Sequence, residues 1–177
     1  LSAQEQAAAM LRNDLVYVGT RMAEVGCEGL NFDTSGSAGD ADFLAALEAV
    51  VGIKKAAPRM PILMGASGEF VIGMHGEVEF NGKRLAGLYP HEQVKVVEDA
   101  GADIFGLAVG TSTNRTVAWN LARAVTFLKA TTAVADVPVH VNVGMGVCGI
   151  PMMEQPPIDS VTRVSKALVQ LGKADGL

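Results

Sequence analysis

Five short strand-like segments begin near Glu28, Pro61, Asp103, Val137 and Asp175, at intervals of 33, 42, 34 and 38 residues, with a helix-like stretch between each pair. Parallel strands need a crossover of a dozen residues or more, usually a helix. This rhythm therefore limits the chain to βα units in a parallel sheet, and the fold class is α/β. Three joints repeat one pattern: Gly26-Cys27-Glu28-Gly29-Leu30, Gly101-Ala102-Asp103-Ile104-Phe105 and Ala174-Asp175-Gly176-Leu177. The third joint is therefore expected to open another strand. A complete (β/α)8 TIM barrel takes about 250 residues. The 177 residues here supply about four to five βα units, so residues 1–177 read as one partial barrel domain, a fragment of a larger one. A small doubly wound sheet is the alternative.

Periodicity places the elements. Ala7, Leu11, Leu15, Val18, Met22 and Val25 recur at helical spacing and predict an amphipathic first helix ended by Gly26. Leu30 and Phe32 alternate with polar or small residues in a short strand. Asp40 is the expected cap of a helix running to about Ala57, and 62–66 reads as the next strand. Between Glu77 and Leu85, Val78 and Phe80 meet Asn81-Gly82, the pair that suits a type I′ turn, which predicts an inserted hairpin. A helix from Pro90 to Gly101, a strand over 103–109, a helix from Val117 to about Ala135 and a strand over 137–143 follow. The last helix is expected from Pro157 to about Leu171.

Composition removes whole classes of function. Lys and Arg total 14 against 19 Asp and Glu, a net charge of −5 without a basic block, which argues against a nucleic-acid surface or a polybasic membrane tether. The apolar runs are strand-sized, far short of the roughly 20 residues of a membrane span. Cys27 and Cys148 stand far apart with no Cys/His cluster, so neither a disulfide framework nor a zinc site is signalled and a reducing cytoplasm is expected. The chain begins at Leu1 in helix-like sequence with no leader visible.

In either α/β architecture the chemistry gathers at the carboxyl ends of the strands. Asp33 follows the first strand in a Ser/Gly loop whose helix offers amides to an anion, and the same loop also reads as a simple helix cap. Glu69 follows the second strand, ahead of Gly73-Met74-His75-Gly76. Two carboxylates at one mouth would hold a cationic substrate, or one would act as acid or base; solvated carboxylates are the plainer reading. Asn114 lies in a dense polar loop, Gly110 to Thr116, before a helix whose Trp119 reads as a packing anchor. In the fourth strand Val139, Val141 and Val143 share one face, while His140 and Asn142 share the other and point to the barrel interior. Met145 and Gly146 belong to an apolar, polarizable loop suited to a flat hydrophobic cofactor or a protein partner, or to plugging the interior. The site candidates are thus Asp33, Glu69, Asn114 and Asn142, with Met145 and Gly146 for cofactor contact. No metal triad or nucleophile triad emerges.

At these same loops the chain resembles the dimethylamine:corrinoid methyltransferases. The resemblance covers nearly all 177 residues and rests on 31–34 with 38–40, 73–76, 85–88 with Pro90-His91, 118–127, 144–147, 149–152 and 156–163. It implies a (β/α)8 barrel that moves a methyl group from dimethylamine to the reduced cobalt of a corrinoid carried by a separate small protein. It also implies a pyrrolysine, encoded by an in-frame amber codon, that binds and orients the amine. In the family register that residue falls directly after the segment matching Ala174 to Leu177, so a stop read at amber is one expected origin of this terminus; cleavage or deliberate truncation is another. Without pyrrolysine the chain is expected to transfer no methyl group. An open barrel edge is expected to drive homo-oligomers. Two other readings stay open: a non-catalytic module that docks the corrinoid protein, and another barrel enzyme using His140 and Glu69. No lysine stands at a strand end for Schiff-base work, since all fall in helices or the hairpin.

Overall fold

The computed structural model describes residues 2–109, 117–141 and 157–177. Its elements are α1 (Ala3–Glu24), β1 (Leu30–Ser35), α2 (Asp40–Ala56), β2 (Ile62–Ser67), α3 (Gly68–Ile72), β3 (Glu79–Phe80), β4 (Lys83–Arg84), α4 (Pro90–Ala100), β5 (Ile104–Ala108), α5 (Val117–Thr132), β6 (Val139–Val141) and α6 (Ile158–Gln170). Strands β1, β2, β5 and β6 pair in that order, all parallel. A single parallel bridge from His140 to Gly176 stands beside β6, where the sequence leads one to expect the opening of a further strand. The order never reverses, whereas a doubly wound sheet reverses at its switch point. Right-handed crossovers taken in one direction put every helix on one face, and the result is an arc of a βα barrel.

The strands show which face the helices cover. Ile62, Met64, Ala66, Phe105, Leu107, Val139 and Val141 are buried in one core with Phe43, Leu47, Val50 and Ile53 of α2 and Val94 and Val97 of α4. Side chains alternate along a strand. Leu63, Gly65, Ser67, Ile104, Gly106, Ala108 and His140 therefore face the opposite, helix-free side, the lumen of the arc.

Carboxylates pin the amino ends of the strands. Asp103 Oδ2 accepts from the Ile62 amide at 2.7 Å and from Lys54 Nζ at 2.6 Å. Asp175 Oδ2 accepts from the Val139 amide at 2.8 Å. In both repeated joints the aspartate captures the first amide of the preceding strand in the sheet, which fixes register.

Three expectations need correction. The predicted apolar stripe of α1 is not its buried face: Leu11, Val18 and Met22 are exposed. The seam against α2 lies one residue over, at Ala8, Arg12, Val16 and Gly19, because a β-carbon at Gly19 would fall 2.4 Å from Ile53 Cδ1 and one at Gly52 would fall 2.7 Å from Val16 Cγ2. Glycine on each helix allows a closer approach than leucine does. Asp40 is not the cap of α2; Gly39 is, and Asp40 is the buried first helical residue. Finally, 68–72 is a short helix rather than loop. The inserted hairpin forms as expected, with Asn81 at φ 52° and Gly82 at φ 78°, both positive as a type I′ turn requires. No helix among the described residues is long and apolar enough to cross a membrane.

Candidate functional site

The carboxyl ends of β1, β2 and β5 form the described part of the mouth. At β1 the ladder slips between Phe32 and Ser35, a bulge that frees Asp33 and Thr34 from regular pairing. Thr34 adopts φ 49°, a conformation that crowds a β-branched side chain. Its carbonyl is held by Ser67 Oγ at 3.0 Å and the Ser37 amide at 3.1 Å, so neighbouring strand and loop together sustain the strain. Asp42 Oδ2 accepts the Gly36 amide at 2.9 Å and the Ala38 amide at 3.3 Å. Those loop amides are thereby occupied; they are not the amides of the first turn of α2, which the sequence offers to an anion.

Asp33 is exposed beside this bulge and makes no ion pair among the described residues. It lines a groove of about 260 Å3 with Asn31 and Phe32 of β1 and with Leu11, Leu15 and Met22 of α1. Glu69 takes a different position. It opens α3, and its Oε1 lies 3.0 Å from Arg123 Nη2 on α5. Arg123 is in turn stacked over Trp119 at 5.4 Å and Phe127 at 5.9 Å. Glu69 is thus committed to an ion pair and is not among the walls of the groove that Asp33 lines. Trp119, expected as a packing anchor, is 44% exposed and serves instead as a platform for the guanidinium. Asn114, Asn142, Met145 and Gly146 lie outside the described residues.

One transverse layer of the lumen is distinctive. Gly65 pairs with Gly106, Gly106 with His140, and His140 with Gly176. Barrel interiors are normally filled at such a level by bulky branched side chains. Here the imidazole of His140 stands between glycines, half-buried rather than fully enclosed as the sequence suggests. The glycines are also required by the close approach of the strands, since a β-carbon at Gly106 would fall 2.8 Å from the Gly65 Cα.

Several supporting residues escape sequence reasoning. Gln93 on α4 is fully buried, and its Nε2 donates to the carbonyls of Gly68 at 3.1 Å and Leu88 at 2.7 Å, bracing the turn at the end of β2. A polar residue on the apolar face of α4 was the available signal. Arg84 of the hairpin donates to the carbonyls of Gly76 at 2.7 Å and His75 at 3.3 Å, so His75 enters through its backbone while its ring is exposed. Nothing in the spacing announces that contact. The lysines stay away from the described mouth; Lys173, expected in a helix, follows α6 at the amino-end side of the sheet.

The family model described as dimethylamine methyltransferase (Dimeth_PyL) matches residues 1–177 of this sequence.

Proposed function

Because the chain belongs to the dimethylamine methyltransferase family along its whole length, we propose that it forms a binding wall of an enzyme that moves a methyl group from dimethylamine to a corrinoid carried by a separate protein. The corrinoid is here a substrate presented at the mouth, and the site candidates Met145 and Gly146 are the proposed residues of its loop contact. Transfer breaks a C–N bond, leaves the electron pair on nitrogen, and requires a proton there before methylamine departs. Dimethylamine is a cation in neutral water. Asp33, a carboxylate at the mouth with no ion partner among the described residues, is suited to attract it.

The carrying observation is the family match along residues 1–177. Beside it, the lumen layer of Gly65, Gly106, His140 and Gly176 carries one side chain, the imidazole of His140, among the described residues. A strand continuing from Gly176 returns to the lumen face at the next-but-one position, where the resemblance puts the family's pyrrolysine. Asn114 and Asn142 are proposed to orient the amine. The reduced methyl acceptor suits a reducing cytoplasm.

The test compares the 177-residue chain with the product of the gene translated through amber, each mixed with dimethylamine and the reduced corrinoid protein. Methyl transfer by the longer product alone is expected. In it Asp33→Asn should raise KM for dimethylamine about tenfold with kcat little changed, as loss of one attractive charge implies. Turnover by the 177-residue chain, or a sense codon after Leu177, overturns the reading.

A further inference from the structure

Register brings two polar side chains to one level of the lumen. On β1, Leu30 and Phe32 pack toward the helices, so alternation gives Asn31 and Asp33 the lumen face. The Asp33 Cα lies 3.7 Å from where a β-carbon on Gly65 would stand, which places Asp33 level with Gly65. Gly65 pairs with Gly106 and Gly106 with His140, so Asp33 on β1 and His140 on β6 share that level with only glycine on β2 and β5 between them. The layer toward the amino ends pairs Leu63 with Ile104, and the layer toward the mouth pairs Ser67, whose hydroxyl donates to the Thr34 carbonyl, with Ala108. Asp33 and His140 are therefore the titratable groups that the described strands turn to the lumen, while Glu69 of α3 is tied to Arg123. Neither the Asp33 nor the His140 side chain makes a hydrogen bond or ion pair among the described residues.

Resting on the proposed activity, we infer that Asp33 and His140 grip dimethylammonium from two sides of the lumen, and that His140 sets the preference for two methyl groups over three. Dimethylammonium carries two N–H donors, and each needs an acceptor once water is stripped from it. The Asp33 carboxylate takes one, and the neutral His140 imidazole takes the other at its unprotonated ring nitrogen. Three strand intervals separate the two backbones by at most roughly 14 Å, less as the sheet curves, a gap that two inward side chains and one small cation span. Trimethylammonium carries a single N–H, which Asp33 satisfies. Its third methyl group then faces the imidazole and leaves that nitrogen without a donor. Glycine at 65 and 106 keeps any side chain of β2 or β5 from standing between the pair.

The test measures affinity for dimethylammonium and trimethylammonium by calorimetry, in the product translated through amber and without the corrinoid protein. His140→Phe keeps a flat ring and removes both nitrogens. It should weaken dimethylammonium about tenfold, the loss of one hydrogen bond to a charged donor, and leave trimethylammonium within about twofold. Asp33→Asn should weaken both. His140→Gln, whose amide oxygen still accepts, should keep most of the preference, with circular dichroism checking that each variant is folded. In the unaltered protein, affinity for dimethylammonium should fall from about pH 8 to about pH 5, because an imidazolium offers no acceptor and repels the cation. That fall should vanish in His140→Phe. Equal weakening of the two amines by His140→Phe, no weakening of either, or a pH dependence that survives the substitution overturns the inference, and so does an unaltered protein that binds no dimethylammonium. Binding needs no methyl acceptor, so the two readings fail separately. Binding with the expected discrimination but without methyl transfer overturns only the activity, whereas transfer by a protein whose preference His140→Phe leaves intact overturns only the role of His140.

Discussion

Gly106 has the backbone of the neighbouring strand in the way of any substituent, with the Leu63 side chain close beside it. A β-carbon there meets the Gly65 Cα at 2.8 Å, whereas one at Gly19 meets the flexible end of Ile53. Gly106→Ala should therefore destabilise by about 1–3 kcal/mol in urea unfolding, the range for forced overpacking; an effect below about 0.5 kcal/mol would contradict the close approach. Gly76 is crowded by a side chain instead, since a β-carbon would fall 1.7 Å from Asp40 Oδ2, an oxygen that is buried without a hydrogen-bond partner among the described residues. Of the candidate residues, Asp33 and Glu69 were legible as strand-end carboxylates from position alone. Their different situations were not, because the partner of Glu69 is Arg123, 54 positions away on another helix. Spacing along a chain carries no information about an ion pair made across elements.

Helix α1 shows what an element's sequence can and cannot declare. Its length and 3.6-residue period were plain, and its start is fixed by a capping box in which Ser2 N donates to Glu5 Oε2 at 2.6 Å and Glu5 N to Ser2 Oγ at 3.3 Å. The hydrogen bond from the Ser2 backbone amide, and after it the Ser2 side chain, hold the Glu5 carboxyl below its ordinary 4.5. A lowered carboxyl stabilises the folded form above its unfolded pKa and loses that contribution as pH falls through the folded value. The first turn of α1 should thus fray on acidification below about pH 4.5; Ser2→Ala, which keeps the backbone donor, should remove only the smaller part of this pH dependence, and Glu5→Gln all of it, as amide exchange of residues 2–6 between pH 3 and 6 would measure. The burial direction of α1 was misread because hydrophobicity favoured the leucine stripe while glycine-mediated packing decided the contact. For the strands, Asp103→Ala should cost about 1–3 kcal/mol, since it orphans the Ile62 amide and leaves Lys54 Nζ with the Met60 carbonyl, at 2.8 Å, as its remaining partner. Lys54→Met alone should cost less, because the amide keeps its acceptor. Equal losses in the two variants would place the stabilisation in the ion pair rather than in register.

At the scale of the whole molecule the parallel arc was readable because the spacing of βα units and the three repeated joints are properties of the sequence itself. The strand order β1-β2-β5-β6 then follows from short right-handed crossovers. The hairpin was readable for a local reason, the positive φ angles that Asn81 and Gly82 tolerate. The glycine layer across Gly65, Gly106 and Gly176 was not, because each glycine belongs to a different unit and only register brings them level. That register carries a timetable. The carboxylate that fixes β2 arrives 41 residues after the amide it binds, and the one that fixes β6 arrives 36 residues after its own. During synthesis each of these two strands therefore leaves the ribosome without its lock and acquires it only when the carboxylate-bearing joint emerges, so the nascent chain should settle from its amino end with a lag of about one βα unit.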